Sequence, residues 1–87
     1  MEPSIKSITV ILQDDVQASY NLFFKNALYS LECYISDGKQ KGNTNYYLAE
    51  NITDDEGEAE MFLRKIANGK VLPIHIKDLV EDYFKDR

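Results

Sequence analysis

The side chains best suited to chemistry are few in this sequence. His75 is the only histidine, and Asp78 follows it by three residues, so a carboxylate lies within one helical turn of the imidazole. Such a pair can act in general acid–base chemistry if both groups reach a ligand. The same spacing also suits a histidine at the start of a helix. A structural or partner-contact role for His75 is the main interpretation, and an enzyme or small-ligand site is the alternative.

Two other groups raise a metal-site hypothesis that their spacing does not support. An acidic run lies between residues 54 and 60, and Ca²⁺ requires several oxygen ligands. Counting back from Gly57 as the sixth loop position places apolar Ile52 where an EF-hand has its first ligand. With one histidine and one cysteine, Cys33, a zinc site would need carboxylates alone. We therefore predict no metal and, without a glycine-rich phosphate loop, no cofactor.

Six tyrosines are the other unusual feature of the composition. A tyrosine-rich sheet face can anchor a protein partner or stack nucleic-acid bases. The chain carries 15 acidic and 10 basic residues and a net charge of -5, so it lacks the basic surface that a phosphate backbone needs. We predict no nucleic-acid partner. Phe23, Tyr34 and Tyr47 are the candidates for outward-facing contacts with a protein.

Length and hydropathy predict one small domain spanning residues 1–87. The apolar runs, such as Val10, Ile11 and Leu12, are far shorter than the roughly 20 residues that cross a bilayer, so no membrane association is expected. The first residues lack a cationic, apolar leader, and one cysteine cannot form an intramolecular disulfide. These features predict a cytoplasmic protein.

The first half of the chain favours strands. Ile8, Val10 and Leu12 alternate with polar residues, which predicts a strand with one buried face. Residues 16–36 fit two patterns: an amphipathic helix capped by Asp15, or a hairpin. We prefer the hairpin because Tyr, Phe, Ser and Asn dominate this stretch, and the alternation continues through Tyr29, Leu31, Cys33 and Ile35 to a turn at residues 37 and 38. It would turn at Lys25 and Asn26. The predicted partners are Phe24 with Ala27, Leu22 with Tyr29, and Tyr20 with Leu31.

The second half predicts one more strand and two helices. The strand covers residues 45–52, with Tyr46 and Leu48 pointing inward. Thr53 and Glu56 have capping-box spacing, and a helix with one apolar stripe follows until Gly69, which we expect to be left-handed. The apolar stripe consists of Ala59, Phe62, Leu63, Ile66 and Ala67. A second helix begins near His75, and its stripe consists of Ile76, Leu79, Val80, Tyr83 and Phe84.

These elements predict an α+β fold, an antiparallel meander of three to four strands followed by two C-terminal amphipathic helices packed on one face. A loop from Asp37 to Asn43 is expected to be mobile and exposed. Residues 52–55 (Ile-Thr-Asp-Asp) and 72–82 (Leu-Pro-Ile-His-Ile-Lys-Asp-Leu-Val-Glu-Asp) resemble the end of a family of small uncharacterised bacterial proteins, a domain of unknown function. The resemblance covers the C-terminal third only. It implies no activity and favours strands over a helix in residues 16–36.

Without an activated nucleophile or an acid–base pair, the sequence predicts a protein-interaction or self-associating domain without catalysis. Its partner would be another protein or a second copy in a homodimer. The candidate contacts are Phe23, Tyr34, Tyr47 and His75. Aromatic side chains that lie beside one another on the outside of the sheet would mark the contact surface. The alternative is a small-ligand-binding protein or enzyme that uses His75 with a nearby carboxylate.

Overall fold

The computed structural model describes residues 5–37 and 46–84, which form four strands followed by two helices. The elements are β1 (Lys6–Gln13), β2 (Val16–Lys25), β3 (Leu28–Asp37), β4 (Tyr46–Thr53), α1 (Glu56–Asn68) and α2 (Pro73–Phe84). The strands form one sheet in the order β1-β2-β3-β4, with every neighbouring pair antiparallel. This confirms the predicted α+β meander with two C-terminal helices on one face. Asp37, the first residue of the predicted loop from 37 to 43, is the last residue of β3, and the rest of that loop lies outside the described residues.

The segment from 16 to 36 is a hairpin rather than a helix. Its turn consists of Asn26 and Ala27, whose φ angles of 56° and 69° are both positive, as a two-residue type I′ turn requires. The turn therefore lies one residue later than predicted, and Leu22 pairs with Leu31 instead of Tyr29. Each residue of β2 therefore pairs with a residue of β3 two positions later than predicted. Because side chains alternate with a period of two, the predicted faces of β2 and β3 remain correct.

The N-terminus of α1 is capped two residues later than predicted. Asp55 is the N-cap, and its side chain accepts a hydrogen bond of 2.9 Å from the backbone N–H of Glu58. Thr53, the predicted cap, is the last residue of β4. Its hydroxyl accepts from the Asp55 N–H at 3.1 Å and donates to Glu58 Oε1 at 3.0 Å. Thr53 thus stabilises the cap through hydrogen bonds to Asp55 and Glu58 but does not itself cap the helix.

The C-terminus of α1 also differs from the prediction by one residue. Gly69 has a right-handed φ of -84°, and Lys70 is the left-handed residue, with φ at 52°. The N–H of Val71 donates to the carbonyl of Ile66 at 3.0 Å, and the N–H of Lys70 donates to that of Ala67 at 3.1 Å. This pair of bonds is a Schellman motif. It turns the chain directly into α2, which begins at Pro73, two residues before the predicted start.

The core lies between the sheet and the helices. All five residues of the predicted α1 stripe are buried, whereas in the α2 stripe only Ile76 is fully buried. The two helices meet through aromatic rings, because Phe62 lies 5.3 Å from Tyr83 between ring centroids. Tyr20 of β2 is fully buried, and its hydroxyl donates to the carbonyl of Val71 at 2.8 Å. This bond ties the sheet to the link between the helices.

Candidate binding surface on the outer face of the sheet

The face of the sheet opposite the helices carries a cluster of large apolar side chains. We call Phe23, Tyr34, Tyr46 and Leu48 the outer patch. Tyr34 and Tyr46 are directly opposed on β3 and β4, and Phe23 comes from β2. Tyr46 is 54% exposed and Leu48 is 38% exposed, while Phe23 and Tyr34 are half-buried. Three neighbouring strands therefore present aromatic and aliphatic side chains to solvent on one surface.

A carboxylate organises the centre of this surface. Glu32 lies directly opposite Leu48, and its two oxygens accept hydrogen bonds from different strands. Asn21 Nδ2 donates to Oε1 at 2.9 Å, and the Tyr46 hydroxyl donates to Oε2 at 3.0 Å. An ionised carboxylate has about four lone-pair sites, so each oxygen retains capacity for another donor. The network holds the Tyr46 side chain at the surface.

The environment of Tyr46 keeps its hydroxyl protonated. Partial burial raises the pKa of Tyr46, and the hydrogen bond to Glu32 and the negative charges of Glu32 and Glu50 raise it further. A phenol with a raised pKa remains a hydrogen-bond donor at neutral pH. The raised pKa therefore favours the Tyr46 hydroxyl as the donor in its bond to Glu32.

The outer patch borders a shallow, open groove of about 220 Å³. Its lining consists of Phe23, Lys25, Ser30, Glu32, Tyr46, Leu48 and Glu50. The groove is smaller than the roughly 300–1,000 Å³ that is usual for small-molecule sites. Two carboxylates and one ammonium group make its charged lining net acidic. These properties suit an inserted side chain of a protein better than an enclosed metabolite.

The predicted contacts Phe23 and Tyr34 lie on the outer face, but the predicted outward orientation of Tyr47 is wrong. Tyr47 is opposite Cys33, shares its helix-facing side and packs against the core. The same reversal affects Tyr46 and Leu48, which were predicted inward and are exposed. Bulky apolar residues occupy three consecutive positions of β4, from 46 to 48, so hydrophobicity alone does not show which face is buried.

Sequence reasoning missed Glu32, Tyr46 and Leu48 as parts of the candidate surface. One signal was available in β4: Ala49 is small, and it is the residue buried opposite Leu31. Had Ala49 been taken as the residue closest to the helix layer, Tyr47 would have pointed inward and Tyr46 outward. Glu32 lies between the buried Leu31 and Cys33, so the strand pattern was sufficient to predict that it points outward. Its hydrogen bonds to Asn21 and Tyr46 could not be predicted from that pattern.

His75 lies in the helix layer rather than on the outer face. It is exposed in the first turn of α2, and its backbone N–H donates to the carbonyl of Leu72 at 2.9 Å. His75 and Asp78 line the same shallow depression beside the link between the helices. Among the described residues, no hydrogen bond joins the imidazole to the Asp78 carboxylate. The structure thus brings the predicted pair to one depression without linking the two groups.

The described part of the chain shows neither a metal-binding cluster nor a helix that could span a membrane. Within residues 5–37 and 46–84, no three His, Cys, Asp or Glu side chains converge as a metal ion would require. Neither α1 nor α2 combines the length and apolar character needed to cross a bilayer.

Comparison with known protein families finds a match over most of the chain. A family model with the description "Family of unknown function (DUF6514)" matches residues 5–86. The similarity to a domain of unknown function therefore spans nearly the whole chain, and the predicted restriction to the C-terminal third was too narrow. No curated protein and no solved structure matches the chain.

Proposed function

Because the chain belongs to this family of unknown function, we propose a role from its own surface: it binds another protein through the outer patch. The observation that carries the proposal is the opposed pair Tyr34 and Tyr46, held on an exposed sheet face by the bond from Tyr46 to Glu32. Neighbouring apolar side chains that remain exposed on a folded domain are typical of a recognition surface.

The chemistry of the outer patch favours a protein partner. Tyrosine provides a large contact area together with a polar group, and it loses little conformational entropy on binding. The hydrogen bond from Tyr46 to Glu32 already restricts one of the two tyrosines, which reduces the entropy lost in the complex. The acidic balance of the groove opposes binding of a phosphate backbone.

The groove indicates the kind of segment that would bind. Glu32 and Glu50 line it together with the rings of Phe23 and Tyr46. A guanidinium or ammonium group placed there would donate hydrogen bonds to the carboxylates and lie against an aromatic face. We therefore propose that the partner presents an arginine or lysine flanked by apolar side chains. As part of the same proposal, the protein acts in the cytoplasm of a bacterial cell, which agrees with its single, buried thiol.

The proposal is tested by capture from cells of the source organism with a double variant, Tyr34→Ala with Leu48→Ala. The matched control is Gln17→Ala with Ser36→Ala, a cross-strand pair of β2 and β3 that lies on the outer face outside the patch. We expect a protein bound by the wild type to be lost from the patch variant and kept by the control. With the isolated partner, calorimetry should give at least a tenfold weaker affinity for the patch variant.

Equal recovery of every binding protein by the wild type and the folded patch variant would contradict the proposal. Far-UV circular dichroism and urea unfolding establish that both double variants are folded before the comparison. A partner lost equally from both variants would point to the sheet as a whole rather than to the outer patch.

The second candidate is a small-ligand-binding or enzymatic role for His75 with Asp78. One observation favours it, namely that both side chains line one depression. A thermal-shift screen of metabolites with wild type and His75→Gln separates the two candidates. A ligand that stabilises only the wild type would favour this candidate over protein binding.

A further inference from the structure

Within the described residues, β4 is paired with another strand on one side only, so it forms an edge of the sheet. Lys25 and Leu28 flank the two-residue turn and form the hydrogen-bonded closing pair of the hairpin. Counting from that pair, the odd-numbered residues of β3 direct their backbone groups to β4, and Tyr47 and Ala49 direct theirs back. The N–H and C=O groups of Leu48, which lies between them, therefore point away from the sheet.

A bulge limits how much of this edge can pair. Leu31 opposes Ala49 while Tyr29 opposes Thr53, and Asn51 within the intervening part of β4 has a φ of 56°. An irregularity of this kind ends regular pairing and bends the strand. A further strand would therefore match β4 over residues 46–49, which contain neither proline nor glycine.

A groove of about 290 Å³ lies along the same part of the edge. Its lining consists of Tyr46, Tyr47, Pro73, Ile74 and Lys77. Tyr46 and Tyr47 point to opposite faces of the sheet, so a groove that touches both lies at the edge of β4, beside the start of α2. Ile74 is 73% exposed, and Lys77, three residues on, shares its side of the helix. This groove therefore combines an uncovered apolar side chain with a positive charge.

Tyr46 connects this groove to the outer patch, because it lines both the groove at the edge and the acidic groove on the outer face. The acidic groove contains Glu32 and Glu50, whereas the groove at the edge contains Lys77. Successive side chains of a strand point to opposite faces, so a strand beside β4 would direct alternate side chains toward the two grooves. Those two sets of side chains would meet opposite charges.

We infer that the protein partner binds by strand addition: an extended segment of the partner pairs with residues 46–49 of β4 as a fifth strand of the sheet. The inference names the binding mode of the partner proposed above and therefore rests on the proposed function. Backbone hydrogen bonds to β4 supply affinity, and the alternate side chains supply specificity. On the outer side the segment presents an arginine or lysine to Glu32 and Glu50. On the α2 side it presents an apolar residue to Ile74 and an aspartate or glutamate to Lys77.

The positions of the charges along β4 predict the order of residues in the segment. Lys77 lies at the Tyr46 end of the free edge, and Glu50 lies at the opposite end. Every neighbouring pair of strands in this sheet is antiparallel, and antiparallel pairing is slightly more stable than parallel pairing. An antiparallel segment passes Glu50 first and Tyr46 last, so its basic residue precedes its acidic residue.

The first experiment selects random dodecapeptides displayed on phage against the immobilised full chain. We expect the enriched peptides to carry a basic residue, then an apolar residue, then an acidic residue. By calorimetry, Lys77→Glu should weaken binding of a synthetic enriched peptide at least about tenfold, and changing the acidic residue of the peptide to lysine should restore it. Arg64→Glu is the control, because it makes the same charge change at an exposed position of α1.

Three outcomes of the selection would overturn the inference. They are a library that enriches no peptide, enriched peptides without this order of charges, and equal weakening by Lys77→Glu and Arg64→Glu.

The second experiment detects strand addition in the peptide itself, by methylating its backbone nitrogens one at a time. In an added strand, alternate N–H groups bond to β4 and those between them face away. We expect the affinity to fall at least about tenfold at every second central position and to change by less than about twofold at the positions between. A pattern of losses without this period of two would overturn strand addition.

The third experiment tests the same hydrogen bonds from the side of the protein. Leu48→Pro removes both the side chain and the N–H that points away from the sheet, whereas Leu48→Ala removes the side chain alone. We expect the folded Leu48→Pro variant to bind the peptide at least about tenfold more weakly than Leu48→Ala. Equal affinities of the two folded variants would refute pairing with β4. The methylated peptides decide the question if Leu48→Pro does not fold.

Failure of strand addition and failure of the proposed function give different results. A peptide that binds the variant with Tyr34→Ala and Leu48→Ala as tightly as the wild type would contradict the outer patch itself. A peptide that this variant loses, but that tolerates methylation at every position, would support the outer patch and refute strand addition. A wild type that sediments at twice the chain mass of 10.0 kDa, with Leu48→Pro at 10.0 kDa, would show that a second copy occupies the edge and would refute a segment of another protein.

Discussion

The two faces of the sheet are built from the same strands but differ in what covers them. On the helix-facing side, Tyr20 and Leu31 are fully excluded from solvent. On the outer side, Tyr46 and Leu48 remain exposed next to the charged Glu32. Strict alternation assigns neighbouring residues to opposite environments. Substitutions on the helix-facing side should therefore alter stability, and substitutions on the outer side should alter binding.

The comparison is tested most strongly by two leucines. Leu31 on β3 is 0% exposed and Leu48 on β4 is 38% exposed, and they point to opposite faces. Leu31→Ala removes buried methyl groups and leaves a cavity in the core, so we expect a loss of about 2–5 kcal/mol in the free energy of unfolding. Leu48→Ala should change it by less than about 1 kcal/mol. Urea unfolding of both variants measures the difference.

Equal destabilisation by Leu31→Ala and Leu48→Ala would contradict the assignment of stability to the helix-facing side and binding to the outer side. It would mean that the outer face is covered in solution, by a second copy or a partner, because an exposed leucine contributes little to folding. Repeating the Leu48→Ala measurement at several protein concentrations identifies that case, since only a covered face makes the effect depend on concentration.

Cys33 tests the difference between the two faces through pH, because it is buried on the helix-facing side while its chain neighbour Glu32 lies on the outer side. Burial, and to a lesser extent the charge of Glu32, raise the pKa of Cys33 from 9.0 to about 12. The folded state therefore disfavours the thiolate. Stability from the neutral thiol is fully present below about pH 9 and is lost as the pH rises toward 12. The slope should be about 1.4 kcal/mol per pH unit within that window.

The measurement for Cys33 is the dependence of the unfolding free energy on pH for wild type and Cys33→Ala. The variant should be less stable at neutral pH because of its cavity, but its stability should fall less steeply above pH 9. Burial and, to a lesser extent, Cys33 raise the pKa of Tyr20 from 10.0 to about 12. The contribution of burial remains in Cys33→Ala, so stability should decline with pH above about 10 in both proteins, though less steeply in the variant. Identical slopes would show that the Cys33 thiol is accessible in the folded state.

Much of the fold could be predicted from local pattern. Ile8, Val10 and Leu12 have the alternation that made β1 a strand, and both helical stripes were correctly assigned. These features depend on periodicity, which a single sequence displays directly. The helix ends were less predictable. Thr53 and Asp55 are both good capping residues, and only the length of β4 decides that Asp55 caps α1.

The candidate surface was less predictable than the fold, because it depends on the choice between two faces of β4. Tyr46 and Tyr47 are chemically identical neighbours, and pairing with β3 sets which of them packs against the core. The bond from Tyr46 to Glu32 joins residues 14 positions apart and has no local signature. Phe23 and Tyr34 were correctly placed outside because the hairpin connects β2 and β3 directly.

The hairpin turn sets the register between β2 and β3, and a substitution in it gives the smallest predicted effect. Asn26 tolerates a left-handed backbone, but Ala27 at a φ of 69° does so at an expense of about 1–2 kcal/mol. Ala27→Gly removes this strain, while glycine loses more entropy on folding, so we expect a net gain of about 0.5–1 kcal/mol by urea unfolding. Ala18→Gly, in the extended part of β2, is the control and should be destabilising. If Ala27→Gly is destabilising as well, the turn is not type I′. A turn of odd length would shift the register of β3 against β2 by one residue and place Glu32 in the core.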